Sequence, residues 1–130
     1  MSALSNYLEG KIIDHFLRNV PVSSPTEIYL ALFESDPTDA GTGTETSYDG
    51  YARQLSTWGA PVDGLTRNTS LITFPANGNA SADVILTHGA LFDAVSGGNM
   101  FIHGPLATPK TVAVGELLFF AVDALGFQLN

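Results

Sequence analysis

The chain has 130 residues and a net charge of −8, with 45% hydrophobic but only 14% charged residues. This length and composition predict a single folded domain over residues 1–130 and exclude an intrinsically disordered chain. The five Lys and Arg residues are too few to form a basic stripe, so we expect neither nucleic acid nor an anionic membrane surface as a partner.

The N-terminal segment, residues 1–20, is predicted to form an amphipathic helical arm. Apolar residues recur in it at every fourth position, which is the spacing of one helix face: Leu4, Leu8, Ile12 and Phe16. Ser5 or Ser2 is suited to cap the start of a helix over residues 4–19, and the Val20-Pro21 pair ends it. We expect this helix to dock on the sheet of its own chain or on a neighbouring subunit.

Seven or eight short antiparallel strands are predicted over residues 26–130, with both faces of the first strand covered because both are apolar. Ser96-Gly97-Gly98-Asn99 is expected to form the turn of a central hairpin, and Pro105 and Pro109 to bracket a connection between strands. The predicted strands are 27–33, 51–58, 71–74, the two halves of a hairpin over 84–106, 111–114, 117–122 and 126–129. Such spacing predicts a mainly β fold, a β-sandwich or jelly-roll-like domain with one N-terminal amphipathic helix.

A polar loop over residues 34–50 separates the first two predicted strands. It contains five acids, three glycines and one proline, and its length predicts a solvent-exposed segment that serves a function. Its acids offer oxygen ligands for calcium, although their spacing matches no EF-hand: Asp36, Asp39, Glu45 and Asp49. The alternative is a solvated loop with one acid paired to Arg53 at the surface, worth at most about 1 kcal/mol.

Catalytic and metal-binding motifs are missing from the sequence. The chain has no cysteine, no G-x-S-x-G motif and no phosphate-binding glycine motif, so we expect neither an enzyme nor a cofactor. His88 and His103 both fall in the central hairpin. With its turn centred on Gly97-Gly98, they are about four positions out of register and too far apart to share a metal ion.

Four segments together resemble a known protein family. They are IYLALFESDPTDAGTGTE at 28–45, DGYARQ at 49–54, NTSLITFPA at 68–76, and the hairpin with its continuation at 87–121. In this order and spacing they resemble a group of small bacteriophage virion proteins, described as tail-fibre-like or as head decoration proteins. The resemblance implies a non-enzymatic, oligomeric component of a virion that is assembled in the cytoplasm of the bacterial host.

Two functional hypotheses follow, with a small hydrolase ranked last. The first is a capsid decoration or cement protein, expected as a homotrimer, that binds the major capsid protein or other virion proteins on the outside of the head. The second is a tail-fibre or baseplate module that binds a host receptor or glycan through the 34–50 loop. The candidate interface residues are Leu8, Ile12, Phe16, Phe101, His103, Phe127 and Leu129.

Overall fold

The computed structural model of the chain describes residues 2–129. Its one helix, α1, comprises Asn6–Leu17. Nine strands, β1 to β9, follow in chain order among the described residues: Ala3–Leu4, Ile28–Phe33, Gln54–Ser56, Leu65–Arg67, Ile72–Thr73, Val84–Phe92, Met100–Val112, Phe119–Phe120 and Gly126–Gln128. All pairings between them are antiparallel, which confirms the prediction of a mainly β fold with one N-terminal helix.

Five strands form the main sheet, in the order β1-β7-β6-β2-β3. On one face of this sheet pack two ribbons of two strands each, β4–β9 and β5–β8, which makes the domain sandwich-like as predicted. The side chains between the layers form the main hydrophobic core: Leu30, Leu32, Tyr48, Ile72, Phe74, Val84, Leu86, Leu91, Ile102, Val112, Phe120 and Phe127.

The opposite face of the main sheet carries a second, smaller core. Successive residues of a strand point to opposite faces, so β2 directs Leu30 and Leu32 to the ribbons and Ala31 and Phe33 to the other side. There they pack with three residues of the central hairpin: Ala90, Phe92 and Met100. The prediction that β2 is covered on both faces is therefore confirmed.

Helix α1 begins at the predicted cap. The Ser5 side chain accepts a hydrogen bond from the Leu8 amide at 3.1 Å and donates one to the Met100 carbonyl, which ties the helix start to β7. The helix is shorter than predicted because Ala3–Leu4 pair with β7 as β1. No residue of the helix is buried. Its first turn contacts β7 through the stacked rings of Tyr7 and Phe101, whereas the rest of its apolar face, from Ile12 to Leu17, is exposed within the chain. Within residues 2–129, no helix has the length and apolar character needed to cross a membrane.

Strand β7 departs from the prediction in its length. It continues through Pro105 and Pro109 to Val112, so these prolines do not bracket a connection between strands. They flank a bulge instead. Lys110 lies opposite Leu86 while Pro105 lies opposite His88, so the residues between the two prolines have no counterparts on β6. Strand β4 was not predicted, because Leu65–Arg67 gives too short a pattern to recognise.

Candidate functional site

Part of the 34–50 loop packs against the rest of the domain, and its Tyr48 belongs to the main core. Pro37, Thr46 and Tyr48 are buried, whereas most of its other residues stay exposed. The Thr46 amide donates to the Leu32 carbonyl at 2.9 Å, and Glu45 forms a β-bridge with Phe33 at the end of β2. The loop was predicted to be a solvent-exposed segment. It is instead a packed layer with an exposed outer side, because three of its side chains point inward.

Arg53 holds this loop to the hairpin. Its Nε and Nη2 donate to the two carboxylate oxygens of Glu45 at 2.9 and 2.8 Å. Its Nη1 donates to the carbonyls of Ala94 at 3.0 Å and Gly97 at 2.7 Å, and its guanidinium lies 3.7 Å from the centre of the Phe92 ring. The Arg53 side chain is 8% exposed and that of Glu45 is 26% exposed. The pairing of a loop acid with Arg53 is confirmed, but the pair is largely buried and not on the surface.

Tyr51 extends this network into the main sheet. Its hydroxyl donates to Oε2 of Glu45 at 2.7 Å and accepts a hydrogen bond from the Leu32 amide at 3.1 Å. Burial is the main cause that raises the pKa of the Tyr51 hydroxyl far above its usual value, and the neighbouring Glu45 raises it further. The hydroxyl therefore stays protonated and serves as a fixed donor to the carboxylate.

His103 makes a second attachment of the loop. Its Nε2 lies 2.8 Å from Oδ1 of Asp39, and its Nδ1 lies 3.8 Å from Oδ1 of Asp36. The carbonyl of Asp39 also accepts a hydrogen bond from the Asn6 amide at 2.9 Å. Asp39 thus joins the loop to both β7 and the first turn of α1.

The register between the two hairpin histidines differs from the prediction. His88 lies opposite Pro105 and His103 lies opposite Ala90, so the pair is two positions out of register and not four. The reason is a longer hairpin turn, which spans residues 93–99 and is centred before Gly97. The hydrogen-bond partners of the two rings differ nonetheless: Nδ1 of His88 lies 2.8 Å from the Thr87 hydroxyl, whereas His103 faces the loop acids.

The hairpin tip, residues 93–99, is closed by a side chain of its own. The carboxylate of Asp93 accepts hydrogen bonds from the Asn99 amide at 2.7 Å and from its Nδ2 at 3.0 Å. Partial burial raises the pKa of Asp93, but these hydrogen bonds outweigh it and hold the pKa below its usual value. The ionised carboxylate therefore fixes the shape of the tip.

Two clefts lie where these elements meet. The first, of about 450 Å³, is lined by Tyr51, Arg53 and residues 95–97 of the hairpin tip. The second, of about 290 Å³, lies between the first residues of α1, residues 39–41 of the loop and the end of the tip. We call the outer side of the 34–50 loop, the hairpin tip and these clefts the recognition surface. Its exposed groups include carboxylates, hydroxyls and amides, together with the apolar side chain of Val95.

The four acids predicted as calcium ligands are not brought together. Glu45 faces Arg53 and Tyr51, and Asp39 faces His103. Asp36 accepts a hydrogen bond from the Thr38 amide, whereas the backbone of Asp49 contacts the loop at residues 78–79. Within residues 2–129, no three His, Asp or Glu side chains are grouped so that they would hold a metal ion.

The candidate interface residues have different surroundings. Phe127 and His103 are buried within the chain, so neither presents a free surface. Phe101 is half-buried and stacks on Tyr7, with ring centres 5.8 Å apart, and Leu8 is also half-buried. Exposed members of the set are Ile12, Phe16 and Leu129.

Sequence reasoning missed most of the network around Arg53. It considered only a surface pair, and it assigned no role to Tyr51 or Asp93. One signal was available: with only five Lys and Arg in the chain, a cation directly after an acid-rich loop is conspicuous. The hairpin-tip carbonyls that Arg53 contacts are 41 and 44 residues away in the sequence, so no local sequence pattern predicts these contacts.

Comparison with known proteins identifies the family. A search of curated proteins finds no match. The model of one protein family, described as Podophage GP4 fiber I protein gp80, matches residues 3–128. The match begins at β1 and ends at β9, so it includes α1 and all nine strands. The chain therefore belongs to the family of the Podophage GP4 fiber I protein gp80 and is a structural protein of a phage virion.

Proposed function

We propose that the chain is a module of a phage tail fibre or baseplate, which binds a receptor or glycan of the host cell and performs no catalysis. The family description names a fibre protein, and it supports this function over capsid decoration or cement, the first hypothesis from the sequence. We further propose that the module works as a homo-oligomer, expected to be a trimer, attached to other virion proteins.

The observation that carries the proposal is the construction of the recognition surface. The 34–50 loop is fixed from below by Arg53, Tyr51 and His103, while its outer side stays exposed. A binding loop that is already ordered loses little conformational entropy when a ligand binds, so this arrangement favours recognition.

The chemistry of this surface suits a ligand rich in hydroxyl groups. The side chains of Asp36 and Asp39 are more than half exposed, and the hydroxyls of Thr38 and Thr42 lie 2.8 Å apart beside them. Carboxylates accept hydrogen bonds from sugar hydroxyls, and threonine hydroxyls both donate and accept them. The five acids of the loop also disfavour a strongly anionic ligand.

Competition for adsorption tests the proposal. Purified full-length chain is added to host cells before the phage, and the fraction of adsorbed phage is measured. We expect the unaltered chain to block adsorption. Ala40→Arg and Ser96→Arg each place a bulky cation at one of the clefts. Each should raise the concentration of chain needed to block adsorption at least about tenfold. Ser81→Arg is the matched control, because Ser81 is exposed beyond the opposite end of β6 and should leave the block unchanged.

Two results would contradict the proposal. The first is a block that is equal for all variants, since binding would then lie elsewhere. The second is a set of particles that lack the chain, adsorb normally and lose their DNA on mild heating. That behaviour is expected of a cement protein on the head.

A further inference from the structure

The dipeptide Asn77-Gly78 carries a chemistry that the proposed function does not use. Among the asparagines of the chain, Asn77 is the one that a glycine follows. In such a pair the backbone nitrogen of the glycine can attack the side-chain carbonyl carbon of the asparagine, because glycine has no Cβ to hinder the approach. The side-chain amide of Asn77 is therefore reactive wherever the backbone is free to turn.

In the folded chain the side chain of Asn77 is buried and fully hydrogen-bonded. Its Nδ2 donates to the carbonyls of Ala82 at 3.1 Å and Val112 at 3.0 Å. Its Oδ1 accepts a hydrogen bond from the Asn79 amide at 2.9 Å. Asn77 is 1% exposed, so the amide that would leave in the reaction is shielded from water and hydroxide.

The attacking nitrogen is held in place as well. The Gly78 amide donates to the Asp49 carbonyl at 2.8 Å, so the proton that must be lost is engaged in a hydrogen bond. A Cβ at position 78 would lie 2.9 Å from the same carbonyl oxygen, so the two segments pack closely. The backbone of Asn77 is bonded to Glu116 at 2.8 Å and to Gly115 at 2.7 Å. The rotation that brings the nitrogen to the side-chain carbon therefore requires local unfolding.

We propose that Asn77-Gly78 is a latent deamidation site, which the fold keeps closed and which reacts when the chain unfolds. The Gly78 nitrogen loses its proton to hydroxide and forms a bond to Cγ of Asn77. The C–N bond of the side-chain amide breaks, and the leaving nitrogen takes a proton from water and departs as ammonia. A second water opens the succinimide ring and leaves aspartate or isoaspartate at position 77. The reaction needs no oxidant or cofactor, and it does not depend on whether the recognition surface binds a receptor.

The product of this reaction does not fit the native structure. A carboxylate has no hydrogen to donate, so at position 77 it places negative oxygens against the carbonyl oxygens of Ala82 and Val112 in a buried site. Isoaspartate also lengthens the backbone and displaces Gly78 from Asp49, which ends the loop of the recognition surface. The ratio of folded to unfolded chain should be at least about 100-fold lower after the reaction. Unfolding thereby becomes irreversible.

Mass spectrometry of the full-length chain tests the proposal. One sample stays native and another is unfolded in guanidinium chloride, at the same mildly alkaline pH and temperature. We expect the unfolded sample to exchange its amide for a carboxyl group at Asn77 at least about 100-fold faster than the native sample. Gly78→Ala in the same denaturant is the matched control, because its methyl group hinders the attack and folding plays no part there. It should slow the reaction at least about tenfold. Asn79, which alanine follows, should stay unmodified.

Refolding measures the consequence of the modification. Samples are diluted out of the denaturant after increasing times, and the refolded fraction is measured by circular dichroism. This fraction should fall in step with the deamidated fraction, and the refolded chains should retain asparagine at position 77. Samples unfolded at mildly acidic pH, where the Gly78 nitrogen keeps its proton, should refold fully at all times. Equal rates of deamidation in the native and unfolded samples would overturn the proposal. So would deamidation at other asparagines only, or full refolding of the deamidated chain.

Discussion

Replacement of Arg53 by leucine tests whether one side chain holds the 34–50 loop on the sheet. The change removes both hydrogen bonds to Glu45, both to the hairpin-tip carbonyls and the contact of the guanidinium with the Phe92 ring. Removal of one partner of a buried ion pair costs about 3–5 kcal/mol, because the other charge stays without compensation. About a quarter of the Glu45 side chain is exposed to water, and leucine at position 53 still packs on the Phe92 ring. The expected cost therefore lies at the lower end of this range.

We therefore expect Arg53→Leu to lower the free energy of unfolding by about 3 kcal/mol, which corresponds to a thermal midpoint about 10 °C lower. Urea titration followed by circular dichroism gives the first quantity, provided that the urea dependence of the free energy is unchanged. Glu45→Gln keeps the shape of the side chain and should lose about half as much.

Arg67→Leu is the matched control. The Arg67 guanidinium is exposed and makes one hydrogen bond, to the Asp123 carbonyl at 3.2 Å, so its loss should cost less than about 1 kcal/mol. A loss below about 1 kcal/mol for Arg53→Leu as well would refute the reasoning. It would mean that the buried residues of the loop hold it in place without the ion pair.

Four further changes probe the hairpin tip and its neighbour. Gly98→Ala should cost about 2 kcal/mol by urea titration, because Gly98 has φ +73° and a Cβ there would lie 2.5 Å from Oδ1 of Asp93. Gly97→Ala, with φ +63° but open space, should cost about 1 kcal/mol. Tyr51→Phe should lose about 1–2 kcal/mol in the same assay, because a strand amide is left without its acceptor. Asp93→Asn should be less stable than the unaltered chain at neutral pH, and this difference should shrink as the pH falls through the lowered pKa of Asp93.

The sign of the pH effect follows from the ionised carboxylate. Since the pKa of Asp93 in the folded chain lies below the usual 3.8, ionisation stabilises the tip above pH 3.8 and that contribution vanishes in stronger acid. A difference that stays constant down to that range would contradict the assigned role of Asp93. If Gly97→Ala and Gly98→Ala lowered the free energy of unfolding equally, the Asp93 side chain would have to move aside freely. If Tyr51→Phe left the free energy of unfolding unchanged, a water molecule would have to replace the lost hydroxyl.

The sequence carried enough information for the elements whose signals are local. The cap at Ser5, strand β2 and the central hairpin were all predicted, because periodicity and turn residues act over a few positions. The position of the 34–50 loop was not predictable in this way. His103 contacts Asp39 across 64 residues of sequence, and the loop's composition alone resembles that of any solvated loop.

The register between β6 and β7 was the second feature that the sequence did not predict. A glycine pair predicts where a turn lies, but the lengths of the turn and of the bulges decide which residues face each other. The turn spans residues 93–99 and is centred before Gly97, which places Pro105 opposite His88 and Ala90 opposite His103. The glycine pair did not reveal the centre of the turn, so the distance between His88 and His103 was overestimated.

The bulge of β7 also bears on how the edge of the main sheet avoids pairing with other molecules. A long, regular sheet edge invites strands from neighbouring molecules, and such pairing propagates without limit into fibrillar aggregates. Between Pro105 and Pro109 this edge is irregular, and neither proline offers an amide hydrogen to an incoming strand. This part of the edge is therefore a poor template for backbone pairing with another molecule.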